Sequence, residues 1–210
     1  MGRITQISAG RTGMFLRLDD AEDYWLSRRD VAEGGYREGQ EVDMEAFVQF
    51  VRLRQYPRAL EQAAAMLARR ACSSGEIETR LRRHRYMDEV VELVLYKLEK
   101  EKLLDDRAFC AQWVRYRSGM KFGSRRIRQE LKQKGLPEEL IREALDELDR
   151  EEEWRQALSL AEKAWQRRKA ADSHWKARQK VTAALVRRGF GWEVARRAAE
   201  AAANGTEDTK

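Results

Sequence analysis

From residue 57 onward the apolar positions fall at helical spacing, and the pattern itself repeats. Ile77 and Leu81 stand four apart, as do Ile127 and Leu131, and again Val181 and Leu185. The first members of these pairs are separated by 50 and 54 residues. Ten residues beyond each Leu comes a further apolar residue, Val91, Ile141 and Ala195, followed four later by Leu95, Leu145 and Ala199. Gly135 and Gly189 lie four residues after Leu131 and Leu185, and Arg85 takes that place in the first copy. An upstream helix opens each copy, over 59–71, 109–117 and 158–168. The pattern predicts a mainly α protein of three tandem three-helix units, at 51–104, 105–153 and 154–203, with a disordered tail at 204–210. Burying one aliphatic side chain contributes about 1.5–3 kcal/mol, and each unit holds few of them. Neighbours must therefore support one another in an elongated array with long surfaces.

The first 50 residues follow a different pattern. Residues 3–8 and 14–18 lean toward strand and are separated by Ala9-Gly10 and Gly13, and Asp19-Asp20 reads as a turn before a third strand at Tyr24-Trp25-Leu26. This predicts a small β-meander. Three short strands are marginal alone, so they should pack on a first helix over 44–53, led in by Glu41-Val42-Asp43. Joints further along carry helix-end chemistry. Ser73 and Glu76 have capping-box spacing, Asp105 or Asp106 can cap the helix at Phe109, and Ser124 can cap the helix at Ile127. Pro137 suits a first helical position, and Gly135 and Gly189 suit left-handed helix ends.

Composition agrees with helix. Only 2 of the 210 residues are proline, 42% are hydrophobic and 37% are charged, which is too apolar for a disordered chain. Cys72 and Cys110 have neither disulfide nor metal spacing, and each falls in an apolar run where a thiol is a small buried hydrophobe. No stretch reads as a signal peptide or a membrane span, so a reduced, cytoplasmic location and a monomeric state are expected.

The net charge of +6 permits a nucleic-acid partner, and its distribution says more. Residues 1–50 hold 6 Arg/Lys against 10 Asp/Glu, whereas 121–134 hold 6 against 1. Residues 137–153 hold 2 against 9, and 154–199 hold 12 against 3. Lys121, Arg125, Arg126, Arg128 and Lys132 line one flank of a helix whose Ile127 and Leu131 face inward. They can pair with the acidic stretch from Glu138 to Glu153 or meet phosphates or an acidic protein. Arg167, Arg168, Lys169, Lys176, Arg178, Lys180, Arg187 and Arg188 have little acid nearby, which points to a functional basic face. Of the six tryptophans, Trp113, Trp154, Trp165, Trp175 and Trp192 fall at helical positions and are expected in the core.

The chemistry of an enzyme is missing from the pattern. Asp105-Asp106 are adjacent and diverge on a helix, which suits a cap rather than a metal site. His84 and His174 are the only histidines. There is no phosphate-binding Gly-rich loop and no nucleophile elbow. No cofactor is expected.

Three groups of residues together resemble the RecX family. The first is Leu103-Leu104-Asp105-Asp106-Arg107-Ala108-Phe109 with Trp113-Val114 and Arg117. The second runs from Phe122-Gly123-Ser124-Arg125-Arg126-Ile127-Arg128-Gln129-Glu130-Leu131 to Lys134-Gly135. Upstream, Ala59-Leu60, Ala68-Arg69-Arg70, Ser73-Ser74, Glu76 and Leu81 match the family's opening helix pair. The similarity covers residues 57–199. Cys110 departs from the Ala usual after the Phe, Ala195–Ala203 is unusually Ala-rich, and the first 50 residues carry no family signature. The resemblance implies tandem three-helix repeats and a modulator of the RecA recombinase in DNA repair. Such a protein would bind the groove of the RecA–DNA filament and restrain ATP hydrolysis and strand exchange, or promote disassembly. The rival expectation from the residues is an autonomous DNA-binding protein of tandem three-helix units.

Overall fold

The computed structural model describes residues 1–19, 23–168 and 173–205. The chain divides into two compact units, Met1–Asp105 and Asp106–Lys210.

The first unit opens with β1 (Gly2–Ala9), β2 (Met14–Leu18) and β3 (Asp23–Leu26), followed by α1 (Arg28–Gly34) and the two-residue β4 (Glu41–Val42). The sheet is antiparallel in the order β3-β2-β1-β4, with a bulge between Ile4 and Gln6 of β1. The meander is therefore present, but Glu41-Val42 pairs with the outer edge of β1 instead of merely leading into a helix. The seven-residue α1 was hidden among Gly-punctuated sequence; Ser27 and Asp30 close a capping box over its start, and Gly35 ends it at φ 65°.

The helices expected at 44–53 and 59–71 are one, α2 (Met44–Leu67), with Pro57 inside it. Proline removes the N–H that would bond the carbonyl of Leu53. Leu53 is 72% exposed, so water can serve that carbonyl. The buried face of α2 runs Phe47, Val51, Gln55, Ala59, Ala63 at steps of four. Its first two residues pack with Ile4, Leu16, Leu18 and Leu26 of the sheet. Its last two join the helical core of α3 (Ser74–Arg83) and α4 (Asp88–Lys100), built on Ile77, Leu81, Val91 and Val94. Gln55 sits between the two cores, donating to the Trp25 carbonyl at 2.7 Å and accepting from the Met87 N–H at 2.8 Å.

The second unit holds α5 (Asp106–Gly119), α6 (Ser124–Gln133), α7 (Glu138–Asp146), α8 (Arg150–Gln166), α9 (His174–Arg187) and α10 (Trp192–Asn204). Ile127 and Leu131 lie in one core with Phe109, Cys110, Val114 and Ile141. Val181 and Leu185 lie in another with Ala157, Ala161, Trp165 and Phe190. Ile77, Ile127 and Val181 are each fully buried at the same place in their own core, so the repeat read from spacing is real. In the third copy, Ala195, Ala198, Ala199 and Ala202 of α10 are buried, while Trp165 and Phe190 supply bulk.

Several local expectations need correction. Ser73 and Glu76 do form the capping box of α3. Ser124, however, is already helical: Gly123 is the N-cap of α6, with no side-chain cap bond. Pro137 precedes α7 as its N-cap. Cys72 is buried in the loop between α2 and α3 rather than in a helix. Burial pushes the Cys110 thiol up to about 11, as an apolar core penalises the thiolate. Asn204 belongs to α10 and Gly205 caps it; the rest of the expected tail, 206–210, lies outside the described residues. Among the described residues, no helix is long and apolar enough to cross a membrane.

Candidate polyanion-facing surface

Every basic residue singled out in the sequence lies in the second unit, and the structure sorts them by what they already touch. Arg188 is an internal strut. Its Nε donates to the Lys121 carbonyl at 2.7 Å, its Nη2 to the Met120 carbonyl at 2.9 Å, and its guanidinium lies 4.7 Å from the Phe122 ring centroid. Lys121 adopts φ 59° and reaches Ser159 Oγ at 3.3 Å. Arg126 pairs with Glu130 at 3.1 Å. Glu130 also accepts from Arg117 and from Trp113 Nε1. Burial alone would raise the Glu130 carboxyl, but the bonds from Arg117 and Arg126 outweigh it and hold it below the ordinary range. Arg128 and Lys132 both bind Glu138, at 2.8 and 2.9 Å. Pairing with the acidic stretch that follows therefore accounts for these two. Arg168 donates to the Ala164 carbonyl, closing the end of α8.

The remainder are differently placed. Arg125, Arg167, Lys176 and Arg187 are exposed and Arg178 is half-buried; among the described residues none of the five pairs with a carboxylate. Lys180 is exposed as well. Lys169 lies outside the described residues. Helix α9 carries four cations and no Asp or Glu. In contrast to the contiguous cluster at 121–132, which is mostly spent inside the fold, the uncompensated charge gathers on and beside α9.

The tryptophans are a second correction. Trp165 is buried, and Trp113 and Trp154 are half-buried, but Trp175 is 61% and Trp192 55% exposed. For Trp175 the signal was present: it stands two residues before Ala177 of the Ala177–Val181–Leu185 stripe, on the opposite helical face. Trp192 was harder to place, since it stands three before buried Ala195 and shares its face by spacing. Helical side chains lean toward the N-terminus, and at the first residue of α10 there is no preceding turn to cover the ring.

Two positions weld the second and third copies together. The Gly123 N–H donates to the Arg188 carbonyl and the Arg125 N–H to the Gly189 carbonyl. A Cβ on Gly123 would stand 2.3 Å from the Phe190 nitrogen, and one on Gly189 2.2 Å from the Arg126 Cβ. Glycine is required at both by close approach of main chain.

Among the described residues no group of three or more His, Cys, Asp or Glu could hold a metal ion. The second unit is a pair of welded three-helix repeats that offers cations and aromatic surface, which defines a tandem helical-repeat protein. Family models agree: one for the RecX second three-helix domain matches residues 105–145, and one for the third matches 151–199. Regulatory protein RecX of Geobacillus thermodenitrificans is 38% identical over 138 residues, covering 65% of this chain and 51% of that protein. Regulatory protein RecX of Prosthecochloris aestuarii is 37% identical over 134 residues, covering 63% of this chain and 85% of that protein. A crystal structure of regulatory protein RecX superposes with a TM-score of 0.62 at 26% identity, over 92% of this chain and 97% of that one. The chain belongs to the RecX family. It spans about half the length of the Geobacillus relative and most of the Prosthecochloris one.

Proposed function

We propose that this protein binds the RecA–DNA filament and restrains its ATP hydrolysis and strand exchange, meeting the DNA through or beside RecA. Membership of the RecX family motivates the partner. The observation that carries a polyanion-facing role is the acid-free helix α9, flanked by cations that no carboxylate neutralises among the described residues. Such charge costs self-repulsion and is relieved by a phosphate backbone or an acidic protein face.

The test is RecA ATPase on single-stranded DNA with increasing amounts of the purified chain. The rate should fall at amounts well below stoichiometric with RecA, and an unchanged rate at saturating protein rejects the proposal. The uncompensated cations also favour a second reading, autonomous DNA binding. Tight binding to bare DNA with a steep salt slope, not strengthened by RecA, would establish that alternative.

A further inference from the structure

The weld between the second and third copies has a feature that internal packing does not use. Trp192 stands at the first turn of α10, more than half exposed, directly after Gly191. The guanidinium of Arg196 lies 5.7 Å from its ring centroid. That guanidinium is itself held by Glu193 at 2.7 Å and by Glu200 at 2.8 Å. The indole is thus braced from one side by a cation whose charge is already matched, and solvent reaches the rest of it. Two arginines on the adjoining chain are not matched. The Nε of Arg125 comes within 3.9 Å of the position a Cβ on Gly191 would take. Arg187 closes α9 two residues before Gly189, whose carbonyl accepts the Arg125 N–H at 3.0 Å. Both arginines are exposed and, among the described residues, have no carboxylate partner. The close glycine contacts at 123 and 189 fix the main chain that carries these side chains, so binding need not order the backbone.

An exposed indole with exposed, carboxylate-free arginines on the adjoining chain matches a single nucleic-acid strand, whose unpaired bases offer flat faces and whose phosphates flank each base. A duplex hides those faces, and an acidic protein surface does not repeat a planar face beside each of its charges. We propose that the weld is a direct contact for single-stranded nucleic acid, with Trp192 stacking on a base while Arg125 and Arg187 bind the adjacent phosphates. This inference rests on reading the acid-free cations of the second unit as facing a polyanion, and it adds a strand contact that does not depend on RecA.

The full chain would be titrated with a labelled oligothymidylate, following anisotropy and tryptophan fluorescence, with duplex DNA and polyglutamate in parallel. Oligothymidylate should quench the wild-type protein. Trp192→Ala should remove most of that quenching and weaken binding about 5- to 100-fold, the range typical of removing a base stack, while Trp192→Phe, which also lacks the reporter indole, should retain part of the affinity read by anisotropy. Arg125→Ala and Arg187→Ala should each lower the slope of log affinity against log salt by about 0.7. The melting temperature of Trp192→Ala should match the wild type, because the ring is exposed. Unchanged oligothymidylate binding by Trp192→Ala overturns the inference. So does an equal loss for polyglutamate or duplex DNA, which would make the weld a general acidic-partner surface. Normal oligothymidylate binding beside an unaffected RecA ATPase would instead sink the filament proposal and leave this one standing.

Discussion

At the residue scale, three equivalent positions show how one backbone requirement can be met with different side chains. Arg85, Gly135 and Gly189 all follow the second helix of a copy, at φ 63°, 76° and 96°. In each case the next residue, Tyr86, Leu136 or Phe190, is buried and donates its N–H to the carbonyl of the last core Leu. The left-handed turn is what returns that apolar residue to the core. A side chain carrying a Cβ is strained there, by about 1 kcal/mol. Arg85→Gly should therefore raise stability by up to about 1 kcal/mol, seen as a melting temperature about 2–4 °C higher. An unchanged or lower melting point would show that Arg85 makes compensating contacts. Gly189→Ala should cost about 3 kcal/mol, since the new carbon would meet Arg126 main chain as well as its Cβ. Asp30 gives a second residue-scale expectation. Its burial would raise the carboxyl pKa, but hydrogen bonds from Ser27 and Arg58 prevail and hold it below the ordinary value of 3.8. A carboxyl depressed by folding contributes its stability in full above the unfolded value and loses it as pH falls through the folded one. Asp30→Asn should cost about 2 kcal/mol at neutral pH. That deficit should shrink as urea melts are repeated below pH 3.8; a constant deficit would assign the effect to shape rather than charge.

At the element scale, legibility followed the length of the periodic signal. The three i, i+4 pairs and the three longer strands were readable because a buried face imposes a regular spacing that short-range chemistry does not disturb. Helix α1 was not readable, since its only buried residue is Asp30, a charged group sustained by Arg58 and Ser27. Strand β4 is two residues long and exists by pairing with Gly2 and Arg3, a distant pairing invisible in local sequence. The continuity of α2 was masked by Pro57. The basic cluster at 121–132 was located by its composition, but its partition was not, because Arg128 and Lys132 share Glu138 across a turn while Arg188 folds back from 67 residues away. Helix α2 also contains the strongest element-level test. Gln55 is fully buried and satisfies a strand carbonyl and the first N–H leading into α4. Gln55→Leu keeps the bulk and orphans both groups, so it should destabilise by about 2–5 kcal/mol. Gln55→Glu keeps the acceptor for Met87 but loses the donor to Trp25. A near-neutral Gln55→Leu would mean that the sheet and the helices of the first unit are held together by apolar packing alone.

Across the whole molecule, charge follows helix position within the copy. The second helices carry 3 Arg/Lys against 2 Asp/Glu in α3, 4 against 1 in α6 and 4 against 0 in α9. The third helices run the other way in the first two copies, with 2 against 4 in α4 and 1 against 4 in α7, and are balanced in the last, with 2 against 2 in α10. The acidic third helix of the second copy consumes the cations beside it, as Glu138 does Arg128 and Lys132, whereas among the described residues no carboxylate pairs with Lys176, Arg178 or Arg187 of α9. Two double variants separate these roles. Arg128→Glu with Lys132→Glu would set two new carboxylates against Glu138, so the melting temperature should fall while binding by the folded protein holds. Arg167→Glu with Lys176→Glu breaks no ion pair among the described residues, so melting should match the wild type. Its binding to RecA–DNA filaments should weaken, with a salt slope lower by about 1 for each phosphate it no longer neutralises. Equal effects of the two pairs on filament binding would mean that the net charge of the chain, rather than the unspent cations around α9, governs attraction to the partner.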